Sequence, residues 1–137
     1  MKYLLDVNVL LAWGWADHAE HRRAALWIAG MKIQPKAMLL TSAIPELGFV
    51  RVSVQRTGCQ LSVAAAAETL AGMLGSLGAQ HEFLPDDLSS TKKWPAWCDQ
   101  ASRTTDAHLL KLACSHGAQL VTLDTGIPGA LLLRGGE

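Results

Sequence analysis

The chain opens on a short apolar run that ends abruptly on an acid, Lys2-Tyr3-Leu4-Leu5-Asp6, and continues as Val7-Asn8-Val9-Leu10-Leu11. A buried strand over residues 2–5 cannot take Asp6 into the core. An unpaired buried carboxylate costs several kcal/mol or takes up a proton. The acid therefore belongs at the strand's C-terminal end, where the next helix starts. In open α/β sheets that edge is where ligands bind. What the protein does depends on whether further acids reach the same edge.

The pattern after Asp6 alternates between helical and strand-like segments. Residues 7–15 are apolar with helical potential, and Asp17 reads as the N-cap of an alanine-rich helix reaching about Ala29 and stopping near Gly30. After Pro35-Lys36 comes a second buried strand, residues 37–41. Ser42 then reads as a cap, and Pro45 is tolerated in the first turn of a helix running to about Thr57. Residues 62–77 form another helix capped by Ser62, and residues 80–84 a short strand. Residues 85–100 are polar and contain Trp94-Pro95-Ala96-Trp97, which reads as a loop. Ser102-Arg103-Thr104-Thr105-Asp106 opens a helix over 106–116 with Gly117 as its stop. A strand over 119–123 precedes Asp124, and residues 130–133 are a last strand candidate before a polar Gly-Gly-Glu tail. Strands alternating with helices imply an α/β fold, a parallel sheet with helices on both faces.

Bulk properties narrow the class. A length of 137 residues suits a single domain, residues 1–137, with a real core. Half the residues are hydrophobic and 18% are charged, which argues against disorder. The formal net charge is zero, so nucleic acid has no global attraction to the chain and would need metal ions or a local basic patch. Arg22, Arg23, Lys92, Lys93 and Arg103 are the candidates for that patch, with Arg103 foremost because it precedes the helix carrying Asp106. Cys59, Cys98 and Cys114 are odd in number and irregularly spaced, which suggests reduced thiols in a cytoplasmic protein. No apolar run reaches about 18 residues and no cleavable leader opens the chain, so a complete small protein with no membrane span is expected.

Four acids answer to one description. Asp6 and Asp124 end strands, while Glu46 and Asp106 open helices. In a parallel sheet those positions share one edge. Taken singly, an acid in a helix's first turn is ordinarily a cap or dipole partner, and an Asp after a strand a turn residue. Taken together they repel: like charges about 4 Å apart interact by roughly 4 kcal/mol at an effective dielectric of 20. Helix N-termini offset only about 0.3–1 kcal/mol each. A divalent cation resolves the repulsion, and all-oxygen ligands suit Mg²⁺ or Mn²⁺. Such a centre serves phosphodiester hydrolysis.

The same stretches carry a resemblance. Asp6-Val7-Asn8-Val9-Leu10-Leu11, Ser42-Ala43-Ile44-Pro45-Glu46-Leu47-Gly48-Phe49-Val50-Arg51, Thr104-Thr105-Asp106-Ala107-His108-Leu109-Leu110 and Val121-Thr122-Leu123-Asp124 look like the successive motifs of PIN-domain ribonucleases, nearest to the VapC-type toxins of bacterial toxin–antitoxin pairs. The resemblance implies a three-layer α/β/α sandwich around a parallel sheet. It also implies a Mg²⁺- or Mn²⁺-dependent endoribonuclease, usually a homodimer, held inactive by a cognate antitoxin. By position, Asp6 and Asp106 match the acids that most directly hold metal, Glu46 the assisting acid and Asp124 the more variable fourth. Asn8 and Thr122 match polar neighbours that shape the site, and Thr105 a common hydroxyl before the third acid. The family pattern does not specify residues 85–103.

Other readings are weaker. An aspartyl phosphatase needs an acid two residues after the first, where this chain has Asn8. Adjacent acids and a late lysine, as in a receiver domain, are absent, and so is any Gly-rich nucleotide loop. A catalytically inactive PIN-like module binding RNA or protein is the remaining alternative, though such a surface gains nothing from clustered carboxylates that repel phosphate. His18 and His21 read as solvated helix residues, and so does His108. Trp94 and Trp97 read as base-stacking residues or, preferably, as cover for a core edge. Trp13, Trp15 and Trp27 read as core or interface.

Overall fold

The computed structural model describes residues 1–133, so the Gly-Gly-Glu tail lies outside the described residues. Five strands form one parallel sheet in the order β3-β2-β1-β4-β5: β1 (Lys2–Leu5), β2 (Met38–Ser42), β3 (His81–Leu84), β4 (Gln119–Thr122) and β5 (Leu131–Leu132). Five helices connect them: α1 (Val7–Gly14), α2 (His21–Lys32), α3 (Ala43–Arg56), α4 (Val63–Gly75) and α5 (Thr104–Ser115).

The pleat sorts the strand residues into two cores, because successive side chains point to opposite faces. Leu5, Leu39 and Val121 join Val9, Leu10, Ile28, Phe49 and Leu70 from α1–α4 on one face. Leu4, Leu40 and Leu120 join Leu109, Leu112 and Ala113 from α5 on the other. The result is the expected three-layer sandwich, but an uneven one, with four helices against one. Leu88 and Trp97 from the long loop supplement the thin layer.

Chain direction sets the functional edge. From β1 the chain steps outward to β2 and β3, with α1–α4 covering one face. It then returns through α5 on the other face to β4, on the opposite side of β1. The strand order therefore reverses between β1 and β4. At such a switch point the two sets of connections diverge and leave a crevice beyond the strands' C-terminal ends. Asp6 and Asp124 follow the two strands that flank it.

Local details depart from the sequence reading at two caps. Asp17 does not start the second helix. Its carboxylate pairs with Arg56 at 3.1 Å, His18 Nδ1 accepts from the Glu20 amide, and α2 begins only at His21. Ser42 does stand at the N-cap of α3, but its hydroxyl donates to the Leu84 carbonyl at 2.6 Å and stitches β2 to β3 instead of capping the helix. Ser62 caps α4 as expected, accepting from the Ala65 amide.

Gly48 governs how closely α3 approaches α1. A Cβ there would stand 2.7 Å from Val7 Cγ2 and 3.0 Å from Val7 Cγ1. Gly→Ala inside a helix ordinarily gains about 1 kcal/mol. Here Val7 is β-branched and stiff, so Gly48→Ala is expected to reverse the sign and cost about 1–3 kcal/mol, read by urea denaturation. A gain in stability would show that the α1–α3 contact is looser than this.

Candidate metal centre

Asp6 leaves β1 with its amide donating to the Val121 carbonyl at 3.0 Å and is 4% exposed. It serves as the N-cap of α1: Oδ1 accepts from the Val7 amide at 2.7 Å. Oδ2 accepts from the Thr122 hydroxyl at 2.8 Å. Thr122 is fully buried at the end of β4 and also accepts from Asn8 Nδ2 at 3.3 Å and from the Asp124 amide at 3.1 Å. Asn8 Oδ1 in turn accepts from the Leu123 amide at 3.1 Å. Asn8 and Thr122 thus clamp the start of α1 to the end of β4, with Asp6 and Asp124 attached to the clamp.

Asp106 arrives from the other face, in the first turn of α5. One oxygen each from Asp6, Asp106 and Asp124 lie within 4.8 Å of one another. Oxygens around one octahedral Mg²⁺ stand about 3 Å apart when adjacent and about 4.2 Å when opposite, so the three acids are near enough to share one hard cation after their side chains draw in. The donor set is all oxygen, which fits Mg²⁺ or Mn²⁺ and not a thiophilic metal.

Electrostatics points the same way. Burial pushes the Asp6 carboxyl up to about 6 from 3.8, against the lowering effect of the Thr122 and Val7 hydrogen bonds, with the Asp106 and Asp124 charges adding to the rise. Asp106 is raised as well, first by burial and then by Asp124, while the Arg103 guanidinium pulls it back. Burial leads in both, and repulsion among the three carboxylates adds to it.

Glu46 stands outside this group of three. It lies in the first turn of α3, as expected, but its Oε2 accepts from the Thr41 hydroxyl at 2.6 Å. Thr41 shares the sheet face of Leu39, whereas Thr122 shares that of Leu120, so the two threonines address carboxylates on opposite faces. Thr41 also meets His81 Nε2 at 2.7 Å. No sequence signal joins residues 41 and 81. The contact exists because β3 lies beside β2 with Leu39 opposite His81.

The remaining candidates divide. Thr105 is exposed and, among the described residues, joins no hydrogen bond of the acid network. Arg103 Nη1 donates to the Trp97 carbonyl at 3.2 Å, with the guanidinium 5.8 Å from that ring's centroid. Lys92 and Lys93 are exposed on the loop, and Arg22 on α2. Arg23 is engaged in the fold, pairing with Glu20 at 3.0 Å and donating to the Leu133 carbonyl. His108 is not the surface residue its sequence suggested. Its Nε2 pairs with Asp86 Oδ2 at 2.6 Å, with both side chains nearly buried, and this ties the long loop to α5. His21 does not lie free on a helix face either; it bonds the Ala12 carbonyl and joins α2 to α1.

Thr122→Val keeps the shape but leaves Asp6 Oδ2, Asn8 Nδ2 and the Asp124 amide without their shared partner. A loss of about 1–3 kcal/mol is expected, together with weaker Mn²⁺ binding by calorimetry. Thr122→Ser, which keeps the hydroxyl, is expected to recover most of both. A Thr122→Val variant as stable as the parent, with unchanged Mn²⁺ binding, would show that the hydroxyl network does not hold Asp6 in place.

Sequence comparison agrees with this geometry. The PIN-domain family model matches residues 3–129. Ribonuclease VapC39 of Mycobacterium tuberculosis is 39% identical over 132 residues, covering 93% of this chain and 91% of the relative. Ribonuclease VapC44 of the same organism is 39% identical over 139 residues, covering 95% and 94%. Ribonuclease VapC38 is 36% identical over 125 residues, covering 90% and 86%. An acid-edged parallel sheet, a family match over nearly the whole chain and relatives of this similarity make the chain a member of the PIN-domain family, in its VapC branch.

Proposed function

We propose that this protein is a divalent-metal-dependent endoribonuclease that hydrolyses RNA phosphodiester bonds and acts as the toxin of a toxin–antitoxin pair. The observation that carries the reading is the convergence of Asp6, Asp106 and Asp124 at the sheet's switch point. The VapC relatives, named ribonucleases, support the reaction class.

In this reading Asp6, Asp106 and Asp124 bind Mg²⁺ or Mn²⁺. The bound ion supplies Lewis acidity, neutralising phosphate charge and lowering the pKa of a water. Asn8 and Thr122 keep Asp6 oriented through the hydrogen bonds above. Glu46 stands outside the group of three with its Oε2 held by Thr41, and its place in the second motif gives it the assisting role of positioning or deprotonating the attacking water. Arg103, beside Asp106, and Lys92 and Lys93 on the loop draw the phosphate backbone towards an edge that its own acids would otherwise make repellent.

A cognate antitoxin and a second copy of the chain are the protein partners of this reading. An apolar groove of about 570 Å³ between α3 and α4, lined by Leu47, Val50, Leu70, Leu74 and Phe83, supports a protein partner. Among the described residues no helix is long and apolar enough to cross a membrane.

The test is cleavage of a mixed RNA pool with Mg²⁺, with Mn²⁺ and with EDTA. Cutting is expected with either metal and is expected to stop with EDTA. Mn²⁺ is also expected to raise the melting temperature: at a hundred times the dissociation constant, binding adds about 2.7 kcal/mol. Absence of both cutting and a thermal shift would replace the nuclease with a non-catalytic binding module.

A further inference from the structure

The long loop holds two tryptophans in different ways. Trp97 packs against the second core, covering its edge. Trp94 instead leaves 41% of its surface exposed, with Nε1 donating to the Ser90 carbonyl at 2.9 Å. An exposed indole on a floppy loop would mean little. This loop is fastened at both ends, by the Asp86–His108 pair at 2.6 Å and by Arg103 donating to the Trp97 carbonyl at 3.2 Å.

Trp94 also borders an open cavity of about 350 Å³, shared with Ile44, Ser90, Thr104, Thr105 and His108. Ile44 lies two residues before Glu46 in the first turn of α3, and Thr104 and Thr105 immediately precede Asp106. The cavity therefore adjoins the acid edge. Trp94 also borders a second, smaller cavity, where Lys92, Lys93 and Lys111 gather. The indole supplies a flat apolar wall and Ile44 an aliphatic one, Thr104 and Thr105 line the polar side, with the Thr104 hydroxyl donating to the Ala101 carbonyl at 2.8 Å, and lysines stand next door. That combination fits an unpaired base with its phosphates. Base–aromatic stacking is sequence-tolerant because every base has a π-face, and clustered lysines release counterions from the backbone.

We infer that Trp94, with Ile44, Thr104 and Thr105, forms a stacking subsite for one unpaired nucleobase of the RNA strand next to the scissile phosphate. The subsite rests on the ribonuclease reading above. It favours a strand unpaired at that position, since drawing a paired base out of an A-form helix costs its unstacking and unpairing energy.

The experiment measures binding of a short, unstructured, labelled RNA by fluorescence anisotropy, in an Asp6→Asn background so that bound RNA stays intact. Trp94→Ala is expected to weaken binding about tenfold, and Trp94→Phe to restore most of it. An oligomer lacking the bases is expected to bind all three proteins equally. Lys92→Gln with Lys93→Gln is expected to flatten the salt dependence without removing the preference for bases over the abasic oligomer. With Asp6 intact, Trp94→Ala is expected to raise KM about tenfold with kcat unchanged. Unchanged RNA affinity in Trp94→Ala, with the parent still cutting, overturns the subsite and leaves the nuclease standing. Unchanged RNA affinity with weakened binding of a protein partner reassigns the indole to a protein interface. A parent that neither binds nor cuts RNA removes the nuclease reading and the subsite together.

Discussion

Asp6→Asn at pH 8 is expected to reduce metal-dependent RNA cleavage at least about a thousandfold, as loss of several kcal/mol of metal-borne stabilisation implies. The same change is expected to raise the melting temperature of the metal-free protein. The two effects have one cause. In the folded chain the Asp6 carboxyl is pushed up to about 6, mainly by burial, from an ordinary value of 3.8. Below about pH 4 the group is neutral in both states and costs nothing. Between about 4 and 6 the unfolded chain releases the proton and the folded chain keeps it, so stability falls as pH rises. The loss is complete above about 6 and amounts to about 3 kcal/mol. Asparagine carries no charge to bury. It keeps an oxygen for the Val7 amide but presents an amide NH₂ donor where the Thr122 hydroxyl needs an acceptor, which costs about 1 kcal/mol of that gain. The net effect is a rise of several degrees at pH 8 that shrinks towards pH 5, read by scanning calorimetry in EDTA. Adding Mn²⁺ is expected to stabilise the parent and leave Asp6→Asn unmoved. A variant less stable than the parent at pH 8 would show that Asp6 is held by its hydrogen bonds more strongly than burial opposes it.

Phe49→Ala is expected to cost about 3–5 kcal/mol, a large part of the roughly 5–15 kcal/mol that holds such a domain together. Phe49 is fully buried in the core formed by α1–α4, together with Val9, Leu10 and Leu70. Its ring edge lies against Gly14 at the end of α1, where a Cβ would come within 2.8 Å of Cε2. Removing the ring leaves a cavity that neighbours on three helices cannot collapse together to fill. Leu47, two residues earlier on the same helix, is 67% exposed, so Leu47→Ala is expected to stay within about 0.5 kcal/mol. Urea denaturation of the pair checks both. A loss below about 1 kcal/mol for Phe49→Ala would mean that the α1–α3–α4 core relaxes around the void.

Much of the architecture was legible before any coordinates. Leu4-Leu5, Leu39-Leu40 and Leu120-Val121 are short apolar runs that only a strand covered on both faces can satisfy, and each is followed by a polar residue, Asp6, Thr41 or Thr122, that stays buried only by hydrogen bonding. That logic gives parallel strands with polar residues at one edge; with the helix starts it singled out Asp6, Glu46, Asp106 and Asp124, of which Asp6, Asp106 and Asp124 come together. Caps were legible only where local chemistry had no competitor. Ser62 has none and caps its helix. Ser42 lies beside the Leu84 carbonyl in the folded sheet and is taken by it. His108 read as a surface residue because its partner, Asp86, comes from a loop with no period to place it.

The sequence by itself determined which residues are too polar for the core and too regularly placed to be accidental, since burial costs and strand periodicity act over a few neighbouring residues. It also set out an all-oxygen donor set, because carboxylates are hard oxygen donors. Only the tertiary structure decided that three acids converge while Glu46 is held by Thr41 on the other face of the sheet. Only the tertiary structure decided that Trp97 is covered and Trp94 open. Those outcomes depend on strand order, on register and on the face to which each helix returns, which are set by contacts between residues 36 to 116 positions apart. No local pattern encodes such contacts.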